Sequence, residues 1–323
     1  MGALVRLGCI GEQQACTSSP PRRPKLRPAE SNQSGMSTTT AETIDTFALG
    51  GDLTINRLGF GAMRITGPGV WGEPQDPDQA KRVLRRALEL GVNFIDTANS
   101  YGPEVSERLI GETLYPYPKG LVIATKGGLT RQGPDKWLPV GRPEYLHECV
   151  EMSLRRLRLE RIDLYQLHRV DPKVPLEESL GVLTRLQEQG KIRHIGLSEV
   201  SVETIERARK NAKIVSVQNK YNLSDRAHEK VLNYCEQNKI AFIPWYPVAA
   251  GKLAAPGGVL DRFAKRHSAT VAQLSIAWLL HHSPVMIPIP GTSSVEHLEE
   301  NMAAQHLRLA LGEWDEIEAA AKS

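Results

Sequence analysis

The sequence predicts an α/β protein folded as a (β/α)₈ TIM barrel, with an N-terminal β-hairpin and an extra C-terminal helix. Three observations carry that expectation. From about residue 47 onward, short apolar segments alternate with amphipathic segments of helical period, with no break in composition. Eight strand candidates occur in succession, the number a closed parallel barrel needs. No glycine turn joins the first strand to the first helix, as a doubly wound nucleotide-binding sheet would require.

The elements follow in chain order. FALGGDLTINRL reads as two short strands around Gly50 and Gly51, a hairpin signal. The barrel strands are then RLGFGAM, VNFIDT, GLVIATK, IDLYQLH, IRHIGLS, IVSVQ, IAFIPW and VMIPI. Between them DPDQAKRVLRRALELG combines an aspartate cap, apolar residues at helical spacing and Gly91 as a stop. RPEYLHECVEMSLRRLRL, PLEESLGVLTRLQEQG and TVAQLSIAWLL behave likewise. Gly67 to Gly72 match the dinucleotide fingerprint G-x-G-x-x-G, but Pro68 and Pro74 stiffen the stretch and the next helix opens only near Asp78. It reads as a substrate-side loop.

Composition bounds the function. With 41% hydrophobic and 24% charged residues the chain has material for a core, and no apolar run approaches the roughly 20 residues of a membrane span. The net charge of +3 is carried by residues 1–40, where Arg6, Arg22, Arg23, Lys25 and Arg27 face only Glu12 and Glu30. The body is neutral and has no basic face for nucleic acid. Residues 1–40 are rich in Pro, Ser, Thr and Arg without apolar periodicity, so they are expected to be a disordered extension of a barrel spanning 41–323. Cys9, Cys16, Cys149 and Cys235 show neither metal-ligand nor disulfide spacing, which fits a reducing cytoplasmic setting and no metal.

In a parallel barrel, chemistry sits at the C-terminal ends of the strands. VNFIDT ends in Asp96 and its loop carries Tyr101; GLVIATK ends in Lys126; IDLYQLH ends in His168. Taken singly, the aspartate reads as a turn residue, the lysine as a solvated strand end and the histidine as core. At the mouths of three consecutive strands, about 5 Å apart, they converge. A phenol with a pKa of about 10 is a poor acid at neutral pH, and an adjacent ammonium is expected to lower it. The aspartate would hold the lysine, and the imidazole would offer a hydrogen bond to a reacting oxygen. The set is a proton-transfer site.

GVNFIDTANSYG, Thr125 with Lys126, Leu167 with His168, GKIRHIGLS and IPGTSSVEHLEEN appear in the order and at the strands that resemble the aldo/keto reductase family, from the hairpin onward. The resemblance implies a barrel that binds a nicotinamide cofactor without a Rossmann domain. It implies a tetrad of Asp96, Tyr101, Lys126 and His168, hydride transfer to a carbonyl carbon, and Tyr101 as proton donor. Ser198 and Gln218 resemble the family's carboxamide-holding residues. Trp245 stands where a tyrosine usually stacks under the nicotinamide, and Tyr246 and Pro247 begin the loop that passes the pyrophosphate. At the adenosine end the resemblance implies Gly291, Thr292, Ser293, His297, Glu300 and Asn301. Two departures stand out. The resemblance implies NADPH, but Gly291, Ser293 and His297 occupy a region where relatives place a Lys or Arg for the 2′-phosphate, and the absence of those charge-assisted bonds weakens the preference over NADH, which stands as the alternative. Glu199 replaces a common Asn, and an ionised carboxylate cannot donate to the carboxamide oxygen. It must turn away or bind the amide NH₂ alone.

The loop GPGVWG, the stretch WLP at 137–139 and the ending GTSSVEHLEENMAA are most similar to the bacterial-type branch that includes pyridoxal reductases. That implies small aldehydes, with pyridoxal as the leading named substrate and Met63, Trp71 and Trp137 lining its pocket. Two other readings stand beside it: a regulatory subunit that senses nicotinamide without turnover, and a lyase using Lys126 as a Schiff base. The sequence leaves oligomeric state open.

Overall fold

The computed structural model describes residues 45–248 and 255–322. The expectation for residues 1–40 lies outside the described residues. Strands β1 (Thr46–Leu49) and β2 (Leu53–Asn56) form the antiparallel hairpin, with Thr46 opposite Asn56 and Leu49 opposite Leu53. Gly50 turns it at φ +67°, and a Cβ there would lie 2.4 Å from the His194 ring, so glycine is required twice over.

The alternating units follow: β3 (Phe60–Gly61), α1 (Pro77–Glu89), β4 (Phe94–Asp96), α2 (Val105–Leu114) and β5 (Val122–Gly127). After a small hairpin of β6 (Leu129–Arg131) and β7 (Trp137–Pro139) come α3 (Pro143–Leu157), β8 (Ile162–Leu167), α4 (Leu176–Glu188), β9 (Ile192–Ser198) and α5 (Val202–Arg209). The chain ends with β10 (Ile214–Gln218), α6 (Glu229–Asn238), β11 (Ala241–Phe242), α7 (Val259–Arg266), α8 (Val271–His282), α9 (Val295–Ala303) and the extra helix α10 (Leu311–Lys322). The helix signals act as read: Asp76 Oδ1 accepts from Gln79 N at 2.8 Å to start α1, and Thr270 with Gln273 forms a capping box on α8.

Strands β3, β4, β5, β8, β9, β10 and β11 pair in parallel in chain order. The eighth predicted strand, VMIPI, is not a regular ladder. Phe242 N donates to Val285 O and Ile287 N to Phe242 O, both at 2.8 Å, while Gly59 N donates to Pro288 O at 3.0 Å on the other side. The segment therefore joins the two free edges and closes the barrel. Pro284, Pro288 and Pro290 have no N–H to donate, which is why it accepts more than it gives. The β6–β7 hairpin is the element the sequence did not announce: strands of three residues are too short to display a period. It pairs Arg131 with Trp137.

The barrel's lower interior is apolar. Leu49 and Ile55 of the hairpin plug pack with Phe94, Val122, Ala124, Leu164, Val215, Ala241 and Ile287 in one buried cluster. The hairpin thus closes the N-terminal end, leaving the C-terminal end for chemistry.

Candidate active site

Strand register delivers the ionisable groups to one place. Asp96 lies opposite Ala124, and Lys126 opposite Gln166. The loop after β4 keeps pairing with β5, since Thr97 N donates to Ala124 O at 2.8 Å and Asn99 N to Lys126 O at 3.1 Å. That pairing carries Tyr101 over the lysine. His168 is held the same way, its N–H on Gly127 O at 2.8 Å.

Lys126 is fully buried, and its three ammonium hydrogens are all committed: Asp96 Oδ1 at 2.5 Å, Thr97 O at 2.9 Å and Tyr101 Oη at 3.1 Å. Burial alone would depress the lysine, but Asp96 and Tyr101 outweigh it and lift its pKa above the ordinary value. A Schiff-base lysine needs a lowered pKa, and Lys126 is shifted the other way with its three hydrogens committed, which counts against the lyase reading. Asp96 is itself clamped: its Oδ2 accepts from Gln166 Nε2 at 3.0 Å and Gln218 Nε2 at 2.9 Å. Breaking a buried pair of this kind by deleting one partner costs about 3–5 kcal/mol, because the survivor is left uncompensated.

Tyr101 departs from the expectation that its pKa falls. Burial of the phenol comes first and raises it; the ammonium pulls it down, and Asp96 behind the ammonium pushes it up again. The net direction is upward, so Tyr101 stays protonated and able to donate. His168 is also buried, and burial, then Lys126, Arg169 and Arg131, drive its pKa well below the usual value. It is a neutral imidazole. Its ring meets Tyr101 edge-on at 5.8 Å between centroids, and Trp137 meets both at 6.3 Å.

These groups open onto a cleft of about 820 Å³. Asp96, Tyr101 and His168 line it together with Ser198, Gln218, Trp245, Tyr246, Pro247 and Gly291. Of the expected pocket residues, Met63 and Trp137 line the cleft, whereas Trp71 does not: it is exposed, with the Arg131 guanidinium 5.7 Å from its ring. The GPGVWG segment forms a short 3₁₀ turn at Pro68–Val70 stitched to the tyrosine loop through Gly72 N on Gly102 O and Gly102 N on Val70 O, and α1 begins only at Pro77, so no α-helix opens from it. Thr292, Ser293, His297, Glu300 and Asn301 lie beyond the cleft, on the loop before α9 and on α9 itself. Thr292 Oγ1 accepts from Ser294 N at 3.0 Å, and Glu300 Oε1 accepts from Thr270 Oγ1 at 2.6 Å.

Glu199 turns away from the cleft. At φ +57° its Oε1 accepts from Trp245 Nε1 at 2.6 Å and from Lys220 N at 2.7 Å, so the carboxylate orients the indole. Three further residues escaped the sequence reading. Arg169 lines the cleft and donates from Nη1 to His168 O at 2.7 Å and Ser198 Oγ at 3.0 Å; among the described residues no carboxylate lies within 4.0 Å of it. Arg131 donates to Val70 O, Ser100 O and Gly69 O and sits 3.5 Å over the Trp137 ring, stapling the mouth. Ser100 Oγ lies 3.2 Å from His168 Nδ1. Position next to Tyr101 and His168 was the only available signal for Ser100 and Arg169; nothing local marks Arg131.

The part of the cleft lined by Arg169, Ser198, Gln218 and Trp245 suits a nicotinamide. It offers an indole face fixed by Glu199, the Ser198 hydroxyl, spare guanidinium donors on Arg169, and the Gln218 Oε1, whose amide nitrogen alone is engaged by Asp96. Beyond it, Gly291 passes β3 so closely that a Cβ would lie 2.5 Å from Gly61 O.

The model of the aldo/keto reductase family matches residues 57–322. An uncharacterised oxidoreductase of Schizosaccharomyces pombe is 53% identical over 273 residues, covering 84% of this chain and 89% of that protein. Pyridoxine 4-dehydrogenase of Escherichia coli is 44% identical over 272 residues, covering 82% of this chain and 94% of its own length. Among solved structures, an aldo-keto reductase of Klebsiella pneumoniae in complex with NADPH superposes with a TM-score of 0.73 at 25% identity, over 86% of this chain and 95% of the other.

Proposed function

This chain belongs to the aldo/keto reductase family and is an NAD(P)H-dependent oxidoreductase of small carbonyl compounds with NADP(H) as the family's cofactor, and from that premise we propose that it reduces an aldehyde to an alcohol with Tyr101 as proton donor. One observation carries the proposal: a protonated phenol, 3.1 Å from a buried ammonium, opens onto the same cleft as a neutral imidazole. The bound cofactor supplies a hydride at its nicotinamide C4. Ser198, Gln218, Trp245 and Arg169 would hold its nicotinamide end, and Gly291, Thr292, Ser293, His297, Glu300 and Asn301 would flank the adenosine end.

Tyr101 and His168 orient the carbonyl oxygen from two sides, and both hydrogen bonds strengthen as negative charge develops there. Tyr101 then gives up its proton. Lys126, already bonded to the phenol oxygen, stabilises the phenolate that remains, and Asp96 keeps the ammonium from shifting.

The substrate is a planar aromatic aldehyde, with pyridoxal reduced to pyridoxine as its leading example. Support comes from Met63, Val70, Leu129 and Trp137, which make the substrate side of the cleft apolar and aromatic, and from the relative whose name specifies pyridoxine oxidised at position 4, the reverse reaction. No helix among the described residues is long and apolar enough to cross a membrane. Free buried Cys149 and Cys235 support placement in the reducing cytoplasm. The test is a panel of initial rates with NADPH and with NADH, on pyridoxal, 4-nitrobenzaldehyde and aliphatic aldehydes. Pyridoxal should be reduced with NADPH preferred. Rapid turnover of 4-nitrobenzaldehyde with none of pyridoxal would sink the narrower claim, and no turnover of any carbonyl would sink the broader one.

A further inference from the structure

His168 has two ring nitrogens and, as a neutral imidazole, one proton to place. The reading above needs that proton on Nε2, facing the carbonyl oxygen; on Nδ1 it would leave a lone pair aimed at an oxygen that carries lone pairs of its own. Nothing in the tetrad decides between the two. Nδ1 has one hydrogen-bond partner, Ser100 Oγ at 3.2 Å, and both residues are buried.

The choice follows from counting donors. Suppose Nδ1 carried the proton and donated to Ser100 Oγ. The serine hydroxyl hydrogen would then need an acceptor of its own, and Ser100 Oγ makes no other hydrogen bond among the described residues. A buried hydroxyl without an acceptor is costly. With Ser100 as donor, one bond satisfies the hydroxyl hydrogen and the Nδ1 lone pair together, and the imidazole proton is left on Nε2. The serine is in turn immobilised, because Arg131 Nη1 holds its carbonyl at 2.9 Å and the preceding residue pairs with β5. Burial, and then the positive charges of Lys126, Arg169 and Arg131, oppose a second proton on the imidazole.

We infer that Ser100 is a positioning residue that donates its hydroxyl hydrogen to His168 Nδ1 and so fixes the Nε2–H tautomer that the carbonyl meets. The inference rests on the reading of His168 as a donor to the substrate oxygen. Ser100 is buried and does not line the cleft, so its effect runs through the imidazole. The mouth staple at Arg131 becomes linked to the chemistry, since the same guanidinium holds Val70 O and Ser100 O.

The tautomer is read directly by ¹⁵N NMR of the full chain with labelled histidine and bound NADP⁺, with His168 assigned as the signal lost in His168→Gln. In the unmutated protein Nδ1 should resonate as an unprotonated nitrogen and Nε2 as a protonated one. Ser100→Ala, which removes one oxygen, should shift His168 toward the other tautomer. It should also lower kcat/KM for 4-nitrobenzaldehyde by about 3- to 10-fold, the worth of one hydrogen bond, with NADPH affinity unchanged. Ser100→Thr, which keeps the hydroxyl, should restore both. A protonated Nδ1 in the unmutated protein overturns the inference whether or not the variants fold. So does an unchanged tautomer in Ser100→Ala. If instead His168→Gln kept full activity, the role of His168 toward the carbonyl would fall while the tautomer assignment stood.

Discussion

The lower and upper halves of the barrel interior are built from the same strands and do opposite work. On β4 the inward face reads Phe94 and then Asp96; on β5, Val122 and Ala124 and then Lys126; on β8, Leu164 and then Gln166, with His168 one step beyond. The lower residues make an apolar plug with the hairpin, and the upper ones make a network in which an ammonium has every hydrogen committed. A step of two residues, about 6.6 Å, separates packing from chemistry. The lesson is that the buried charges are tolerable because each is satisfied from strands the plug holds in register.

That contrast predicts separable failures. Tyr101→Phe should cut carbonyl reduction by about 10²- to 10⁴-fold while NADPH binding and melting temperature stay nearly unchanged. A variant that kept more than a tenth of its rate would mean that the upper network is not the proton source. Phe94→Ala, two residues below Asp96, should cost about 3–5 kcal/mol of stability by denaturant unfolding, with catalysis per folded molecule held within a few-fold. A loss of rate matching that of Tyr101→Phe would instead show that the plug positions the chemistry so tightly that the halves are not independent.

The smallest effect is the sharpest test of burial. Tyr101 is raised and His168 lowered, so reduction should stay flat from about pH 6 to about pH 9 and decline only above about pH 10, as the phenol ionises. Stability should run in the sense set by the imidazole. Below about pH 6.5 the unfolded chain takes up the His168 proton and the folded chain does not, so stability falls as the pH drops. An acidic limb in the rate near pH 6.5 that vanishes in His168→Gln would show the imidazole to be charged and the rim to be wetter than its packing implies.

Much of this was legible beforehand. Asp96, Lys126 and His168 lie at or next to strand ends that period and length reveal, and the sequence pattern places β4, β5 and β8 within two residues of their limits. VMIPI was recognised as a barrel segment although three prolines keep it from a regular ladder, because apolar runs survive where hydrogen-bond donors do not. The lowered phenol pKa was the misjudgement. An ammonium beside a phenol is visible in sequence, but the depth at which both are buried is not.

By itself, then, the sequence determined the succession of strands and helices, the hairpin, and which acids and bases stand at the strand mouths, since these depend on periodicity and local spacing. Tertiary structure alone decided the partners. Gln218 reaches Asp96 across 122 residues, Gln166 reaches it across 70, Ser100 meets His168 across 68, and Glu199 orients Trp245 across 46. Contacts of that span exist only once the barrel closes. Closure removes the surrounding water, which raises the phenol's pKa and lowers the imidazole's in a way that no local stretch of chain could impose.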